Sequence, residues 1–152
     1  MHVDRLGRGE LVAAVGSILL AVCLFLPWYE TATDNPNAVI DGARGGLSGW
    51  EVHGTVRWLL IAAAAAPLIL IWIVIRDHEL SWPRGELTAV AAIAAFGIVA
   101  YIGFLDRPGT PSGAISLQPG YFGALLGTIA MIAGGAISAG QTERTRKPPG
   151  VL

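Results

Sequence analysis

The side chains of this chain that could bind a cation fall outside its long apolar stretches. Six of them lie in two polar connections: Glu30, Asp34, Asp41, Glu51, His53 and Asp106. Carboxylate oxygens of this kind can hold a hard cation, but their spacing matches no metal motif. Glu51 and His53 are too short a pair for a zinc site without a third ligand, and His2 and His78 fall on the opposite side of the predicted fold. We therefore predict no metal site.

Few polar side chains occur within the apolar stretches: Ser17, Cys23, Thr88, Thr128 and Ser138. A hydrolase or transferase needs a nucleophile with a base beside it, or a cluster of metal carboxylates, and no base accompanies these residues. The sequence also has no glycine loop of the phosphate-binding kind. We predict a protein that is not an enzyme, with no catalytic residues, no cofactor and no nucleic-acid partner. Cys23 is the single cysteine, so no disulfide can form within the chain.

Four long stretches contain no Asp, Glu, Lys, Arg or His: Leu11–Trp28, Trp58–Ile75, Leu87–Leu105 and Tyr121–Ala139. Each is about long enough to cross a hydrocarbon layer of ~30 Å as a helix. A backbone in lipid must satisfy its own hydrogen bonds, which favours helices there. Charged residues make up 14% of the 152 residues, against about a quarter in soluble domains. The predicted fold class is an all-α membrane protein, a four-transmembrane-helix bundle forming a single domain over residues 1–152.

The basic residues predict how the chain is oriented in the membrane. Ten are present, and most fall in the tails and the second connection: Arg5, Arg8, Arg76, Arg84, Arg144, Arg146 and Lys147. The remaining three are Arg44, Arg57 and Arg107. The positive-inside rule then places both termini in the cytoplasm of a multi-pass plasma-membrane protein. Tails 1–10 and 140–152 and inner loop 76–86 are cytoplasmic, and outer loops 29–57 and 106–120 lie outside.

The sequence also carries signs of internal duplication. Arg8-Gly9-Glu10-Leu11 opens the first stretch and Arg84-Gly85-Glu86-Leu87 opens the third. We predict two parallel helix hairpins related by a pseudo-twofold axis along the membrane normal, with independent recurrence of a helix-start glutamate as the alternative. The two outer loops would then lie side by side. Their runs with strand character, Val39-Ile40 and Ala114–Leu117, predict a small extracellular β-pairing.

Small residues predict where helices approach closely, because lipid provides no hydrophobic drive between helices. Gly123 and Gly127 form a GxxxG match in the fourth stretch. The predicted helix-packing face consists of Gly123, Gly127, Gly134 and Ser138. We favour packing within the chain over a homodimer for this face.

Aromatic residues cluster where the predicted spans end, and such clusters form belts at membrane interfaces. The outward set is Trp28, Tyr29, Trp50, Trp58, Tyr101, Phe104 and Tyr121, and the inward set is Trp72 and Trp82. The alternative is that Trp50 and Tyr121 hold a ligand between the loops. A candidate extracellular recognition surface therefore comprises Trp50, Glu51, His53 and Tyr121.

Three motifs carry a resemblance to a known group of proteins: Leu26-Pro27-Trp28-Tyr29, Leu47-Ser48-Gly49-Trp50-Glu51 and Gly120-Tyr121. With them, nearly the whole chain resembles small uncharacterised four-span integral membrane proteins of actinobacteria. That resemblance implies a fold and a compartment and no site residues. Trp28 followed by Gly46–Trp50 also has a faint likeness to claudin-type four-helix proteins, but the loop cysteine pair is absent, so this likeness is an analogy.

We expect a non-enzymatic structural or accessory integral membrane protein. Besides the lipid bilayer, its partner would be another membrane protein or a second copy of itself. The partner would bind through the outer loops and the helix faces that are lined by small residues. The alternative is a half-transporter that binds a small molecule or lipid and works as a dimer. A transporter needs a polar, water-accessible cavity between the hairpins, whereas an accessory subunit is packed solid.

Overall fold

A computed structural model describes residues 6–76 and 84–146, so the predictions on His2, His78 and Trp82 lie outside the described residues. The fold is mostly helical, with a small sheet at one end of the helices. The helices are α1 (Arg8–Cys23), α2 (Gly49–Val52), α3 (Val56–Ile75), α4 (Arg84–Ala100) and α5 (Pro119–Arg146). The strands are β1 (Pro27–Thr31), β2 (Gly46–Ser48) and β3 (Ile115–Leu117), and α4 continues as a π-helix over Tyr101–Leu105.

Within the described residues, three helical segments are long and apolar enough to cross a membrane. They are Val56–Ile75, Gly85–Leu105 and Pro119–Gln141, with mean hydropathies of 2.6, 2.2 and 1.8. These segments coincide with three of the four predicted spans. Three such helices are compatible with a multi-pass membrane protein.

The first predicted span, residues 11–28, forms α1 and then leaves the helix. α1 has 16 residues, and turn hydrogen bonds carry the chain on to Leu26 before β1 begins at Pro27. The prediction that the helix reaches Trp28 is wrong for two physical reasons. Pro27 has no N–H to continue the helical ladder, and the Trp28 indole N–H donates to the Cys23 carbonyl at 2.7 Å.

α5 packs closely against both α1 and α4 through glycine. A Cβ placed on Gly16 of α1 would lie 2.6 Å from the Gly127 carbonyl, and one placed on Gly135 would lie 2.7 Å from the Ala89 amide. Real side chains do not tolerate such separations, so the backbones themselves are in contact. This is the packing that helices adopt where lipid surrounds them.

The two predicted helix hairpins, α1 with α3 and α4 with α5, are not packed as a twofold axis would require. Gly9 and Gly85 are the equivalent glycines of the two repeated Arg-Gly-Glu-Leu segments. Both face α5, at Gly134 and Gly135 respectively. A twofold axis relating the two hairpins would instead make the α1–α5 contact equivalent to the α3–α4 contact. α3 has no glycine, and its contacts with α1 and α4 are sparser. The close packing thus does not follow the predicted twofold relation.

The sheet joins the two connections that the sequence predicts as outer loops, with strand order β2-β1-β3, and both pairings are antiparallel. A small β-pairing was predicted here, and β3 covers part of the predicted run Ala114–Leu117. Its main partner differs from the prediction, because β3 pairs with β1 while Val39 forms a single bridge to Thr110. Ile40 bridges Ala43 around Asp41-Gly42, where positive φ angles of 48° and 81° make a tight hairpin turn.

Candidate functional site at the sheet end

Three aromatic side chains fill the space between the sheet and the helices. Trp28, Tyr29 and Tyr121 each have 0% of their surface exposed. The sequence predicted them in an interfacial belt, and that prediction is wrong for these three. The irregular register between Pro27 and Tyr29 turns two consecutive residues of β1 inward, where the rings of Trp28 and Tyr121 meet edge to face at 5.7 Å. Trp58, by contrast, is exposed, as a belt residue must be.

The burial of Tyr121 removes it from the predicted extracellular recognition surface. Glu51 is exposed, and Trp50 and His53 are partly buried. The indole of Trp50 stacks on Phe25 with ring centroids 4.9 Å apart, and the guanidinium of Arg57 lies 4.8 Å from its ring centre. Trp50 is therefore held by its own neighbours rather than poised opposite Tyr121 to hold a ligand.

Buried tyrosine hydroxyls bind backbone carbonyls where α4 becomes a π-helix. Tyr121 donates to the Val99 carbonyl at 3.1 Å, and Tyr29 donates to the Ile102 carbonyl at 3.3 Å. The Tyr29 hydroxyl also lies 2.9 Å from Nε2 of His53. Burial raises the pKa of Tyr29 far above its ordinary value, so the phenol stays protonated. These bonds fix the end of α4 to α5 through Tyr121 and to the sheet through Tyr29.

His53 is positioned by the short helix α2. Ser48 caps that helix, its Oγ lying 2.7 Å from the carboxylate of Glu51, which also accepts from the Ser48 amide at 2.9 Å. This reciprocal capping box gives Glu51 a structural role, and the hydrogen bonds from Ser48 lower the pKa of Glu51. Burial lowers the pKa of His53, opposed by the nearby carboxylates of Asp106 and Asp41. The imidazole is therefore neutral at pH 7.

A groove of about 640 Å³ opens beside His53, between the start of α3 and the second half of α4. Its apolar wall comes mainly from α4 and its π-helical continuation, through Ile93, Gly97, Ile98 and Tyr101, and α3 contributes Val56. Ile93 and Tyr101 are more than half exposed, at 57% and 52%, so the groove lies on the outward flank of α4. His53 and Asp106 supply polar groups at the sheet end. An apolar groove with few polar groups at one end suits an amphiphilic ligand.

The predicted helix-packing face lies against α1. Gly127 meets Gly16, Gly134 meets Ala13, Gly123 meets the sulfur of Cys23, and the Ser138 hydroxyl lies beside Gly9. Two polar residues of the predicted spans bind their own helix: Ser17 donates to the Ala13 carbonyl and Thr128 to the Leu125 carbonyl. Within residues 6–76 and 84–146, no group of three or more His, Cys, Asp or Glu side chains is placed to hold a metal ion.

Two features of this region were not predicted from the sequence. One is a hydrogen-bonded polar group on the exposed side of the sheet, formed by Glu30, Ser116 and Gln118. The Gln118 amide donates to the Glu30 carboxylate at 2.7 Å and to the Ser116 hydroxyl at 3.1 Å. The other is Gly97, where a Cβ would meet no atom within 4 Å. The sequence signal for the first was the alternation of apolar and polar residues from Ile115 to Gln118. No comparable signal marks the groove.

Comparison with protein-family models, with curated proteins and with solved structures finds no match to this chain. The resemblance to actinobacterial four-span proteins and the claudin analogy therefore stay predictions from the sequence.

Proposed function

We propose that this chain is a non-enzymatic accessory protein of the plasma membrane that crosses the bilayer four times and binds another membrane protein through its sheet end. In this proposal α1 also crosses the bilayer and brings the number of spans from three to four. Together with the turn that ends at Leu26 it extends about 28 Å, close to the thickness of a hydrocarbon layer. Its outward side is also apolar, with Leu11, Val15 and Ile18 each more than half exposed.

Both termini are cytoplasmic in the proposed orientation. Arg8 and Arg84 begin helices, and Arg76 follows one, at the end of the molecule opposite the sheet. Arg144 and Arg146, in the last turn of α5, lie at the same end, whereas Arg44, Arg57 and Arg107 lie at the sheet end. This asymmetry of five to three supports an outward-facing sheet. Single cysteines at Asn37 and Gln141, each in a Cys23→Ala background, test the orientation with a membrane-impermeant maleimide. Asn37→Cys should be labelled on intact cells and Gln141→Cys only after permeabilisation, and the reverse result would overturn the orientation.

Solid packing at mid-depth favours an accessory role over the half-transporter. Ala64, Ala92 and Met131 have 3%, 0% and 0% of their surface exposed and belong to one continuous core. A cavity near the inner end, beside Glu10 and Pro67, holds about 10 Å³, about the room that one water needs. A transport path would need a larger polar space at these positions.

The proposed recognition surface is the exposed side of the sheet, defined by Glu30, Ser116 and Gln118 and called the outer sheet face below. One observation carries the proposal. The small residues of α5, which could otherwise bind a partner helix, are already packed against α1 and α4. The outer sheet face is an ordered polar surface, and its exposed Glu30 and Ser116 side chains can contact a partner protein. The hydrogen bonds within this face hold its side chains in place, which lowers the entropy cost of ordering them when a partner binds.

Affinity purification of the full chain from its native membrane tests the accessory role. We expect a second membrane protein to co-purify in stoichiometric amount with the wild-type chain and to be lost with Glu30→Lys. Glu86→Lys is the matched control, because Glu86 is an exposed glutamate at the opposite end of the molecule. Recovery of the wild-type chain alone as a monodisperse monomer would overturn the proposal. Recovery of a homodimer that carries bound lipid between its protomers would favour the half-transporter.

A further inference from the structure

We propose that the groove between α3 and α4 binds one hydrocarbon chain of an outer-leaflet lipid whose head group carries a primary ammonium, as phosphatidylethanolamine does. This inference goes beyond the accessory role. It depends on α3 and α4 crossing the membrane with the sheet outward, and it does not depend on the identity of any protein partner.

The depth and lining of the groove fit a lipid chain. From Ile93 to Tyr101 the α4 wall rises about 12 Å at the helical pitch, and one leaflet of the hydrocarbon layer is about 15 Å thick. The volume of about 640 Å³ lies within the range of ligand pockets. Gly97 forms the floor, because an absent side chain there leaves open space beside Ile98. A chain in this groove would replace bulk lipid contacts with contacts to α4 and to Val56 at the start of α3.

The polar end of the groove selects the head group. The Asp106 carboxylate is exposed and forms no hydrogen bond or ion pair with any residue in the described part of the chain. His53 uses Nε2 for its contact with Tyr29, and its other ring nitrogen has no partner among the same residues. The neighbouring Arg107 does not neutralise this end directly, since its guanidinium donates to the carbonyls of Gly103 and Ile115 at 3.2 and 2.8 Å.

An ammonium group matches this end better than the alternatives. It carries a positive charge toward Asp106 and N–H donors that the carboxylate accepts. A phosphatidylglycerol head has a net negative charge and would be repelled by the carboxylate, and a choline head has the charge without the donors. The expected order of affinity is phosphatidylethanolamine, then phosphatidylcholine, then phosphatidylglycerol.

Native mass spectrometry of the full chain in lipid–detergent micelles measures this order. The chain is titrated with each of the three lipids, and the fraction carrying one bound lipid is compared. Gly97→Leu fills the floor of the groove. Gly140→Leu is the matched control, because a Cβ added at Gly140, another helical glycine, would likewise meet no atom within 4 Å. We expect Gly97→Leu to lose the first bound phosphatidylethanolamine and Gly140→Leu to keep it, with both variants eluting as the wild type does.

Asp106→Asn tests the head group separately from the chain. It should weaken phosphatidylethanolamine binding by up to about fivefold, the upper end for an exposed ion pair, and weaken phosphatidylcholine binding less, because a choline head loses the charge attraction but no hydrogen bond. Equal lipid binding by Gly97→Leu and Gly140→Leu would overturn the site. Equal affinity of the wild-type chain for the three lipids would overturn the head-group assignment. A photoactivatable acyl chain on phosphatidylethanolamine should crosslink within residues 93–101, and crosslinks confined to α1 or α5 would also overturn the site.

Discussion

The two sides of α4 are built in opposite ways. Its side toward α5 is closed by backbone contact, with Gly85 and Ala89 lying against Gly135. Its side toward α3 opens into a groove at Gly97. Both sides belong to one helix in one apolar environment, so the difference comes from where the glycines face. A glycine opposite another backbone brings two helices together, whereas a glycine without an opposing element leaves a space.

This contrast separates a fixed part of the molecule from an adaptable part. Between α1, α4 and α5 the helices are positioned by contacts that any added atom would disturb. α3 has alanines and Pro67 instead of glycine and is held by side-chain contacts such as those of Leu60 and Ala64. We infer that the α1–α5–α4 unit supports the sheet, and that α3 is the element whose separation from α4 can adjust to a ligand.

The largest expected effect comes from Gly16→Ala, which adds one methyl group where α1 and α5 meet by backbone contact, as α4 and α5 do at Gly135. The new Cβ would lie 2.6 Å from the Gly127 carbonyl and 2.8 Å from the Met131 amide, and backbone atoms cannot move aside as side chains do. We expect a loss of about 1–3 kcal/mol in the free energy of unfolding. Unfolding in detergent micelles, followed by circular dichroism, measures it.

Gly97→Ala is the matched substitution on the open side. It meets no atom within 4 Å and should be neutral or raise stability by up to about 1 kcal/mol, because alanine is the better helix former. A comparable loss in the two variants would contradict the distinction between glycines at backbone contacts and the glycine that lines the groove.

The hydroxyl groups beneath the sheet should have a smaller effect. Tyr121→Phe removes the bond to the Val99 carbonyl on the closed side, and Tyr29→Phe removes the bonds to Ile102 and His53 beside the groove. Each should cost about 1 kcal/mol, the usual net value of a buried hydrogen bond. Only Tyr29→Phe should also change lipid binding, because it releases His53. Equal effects of both variants on lipid binding would show that the two regions are not separable.

The membrane-length helices could be predicted from the sequence, because an uncharged stretch of about twenty residues has few other stable structures. The small-residue positions such as Gly127 could be located as well. What the sequence could not give was the direction of Trp28 and Tyr29, since their burial depends on a bulge against β2 that has no local signature. The groove could not be predicted either. In the sequence Gly97 looks like the closely packed glycines, and only the structure shows that no atom lies opposite it.

The smallest expected effect is a pH dependence of stability through His53. Burial lowers the pKa of this imidazole in the folded chain, while the Asp106 and Asp41 carboxylates partly oppose the shift. In the unfolded chain the histidine has its ordinary pKa of about 6.5. As the pH decreases, the unfolded chain therefore takes up the proton at a higher pH than the folded chain does. Stability should be fully present above that pH and should fall as the pH decreases toward 5.

Thermal unfolding in detergent at pH 7.5, 6.5, 5.5 and 5.0 measures this dependence. His53→Gln should flatten the curve in this range, because glutamine does not titrate. Asp106→Asn should deepen the loss at low pH, since it removes a carboxylate that favours the protonated imidazole. A curve that rises on acidification would mean that His53 is charged in the folded chain. It would then repel the ammonium head group, and the groove would instead favour an anionic lipid.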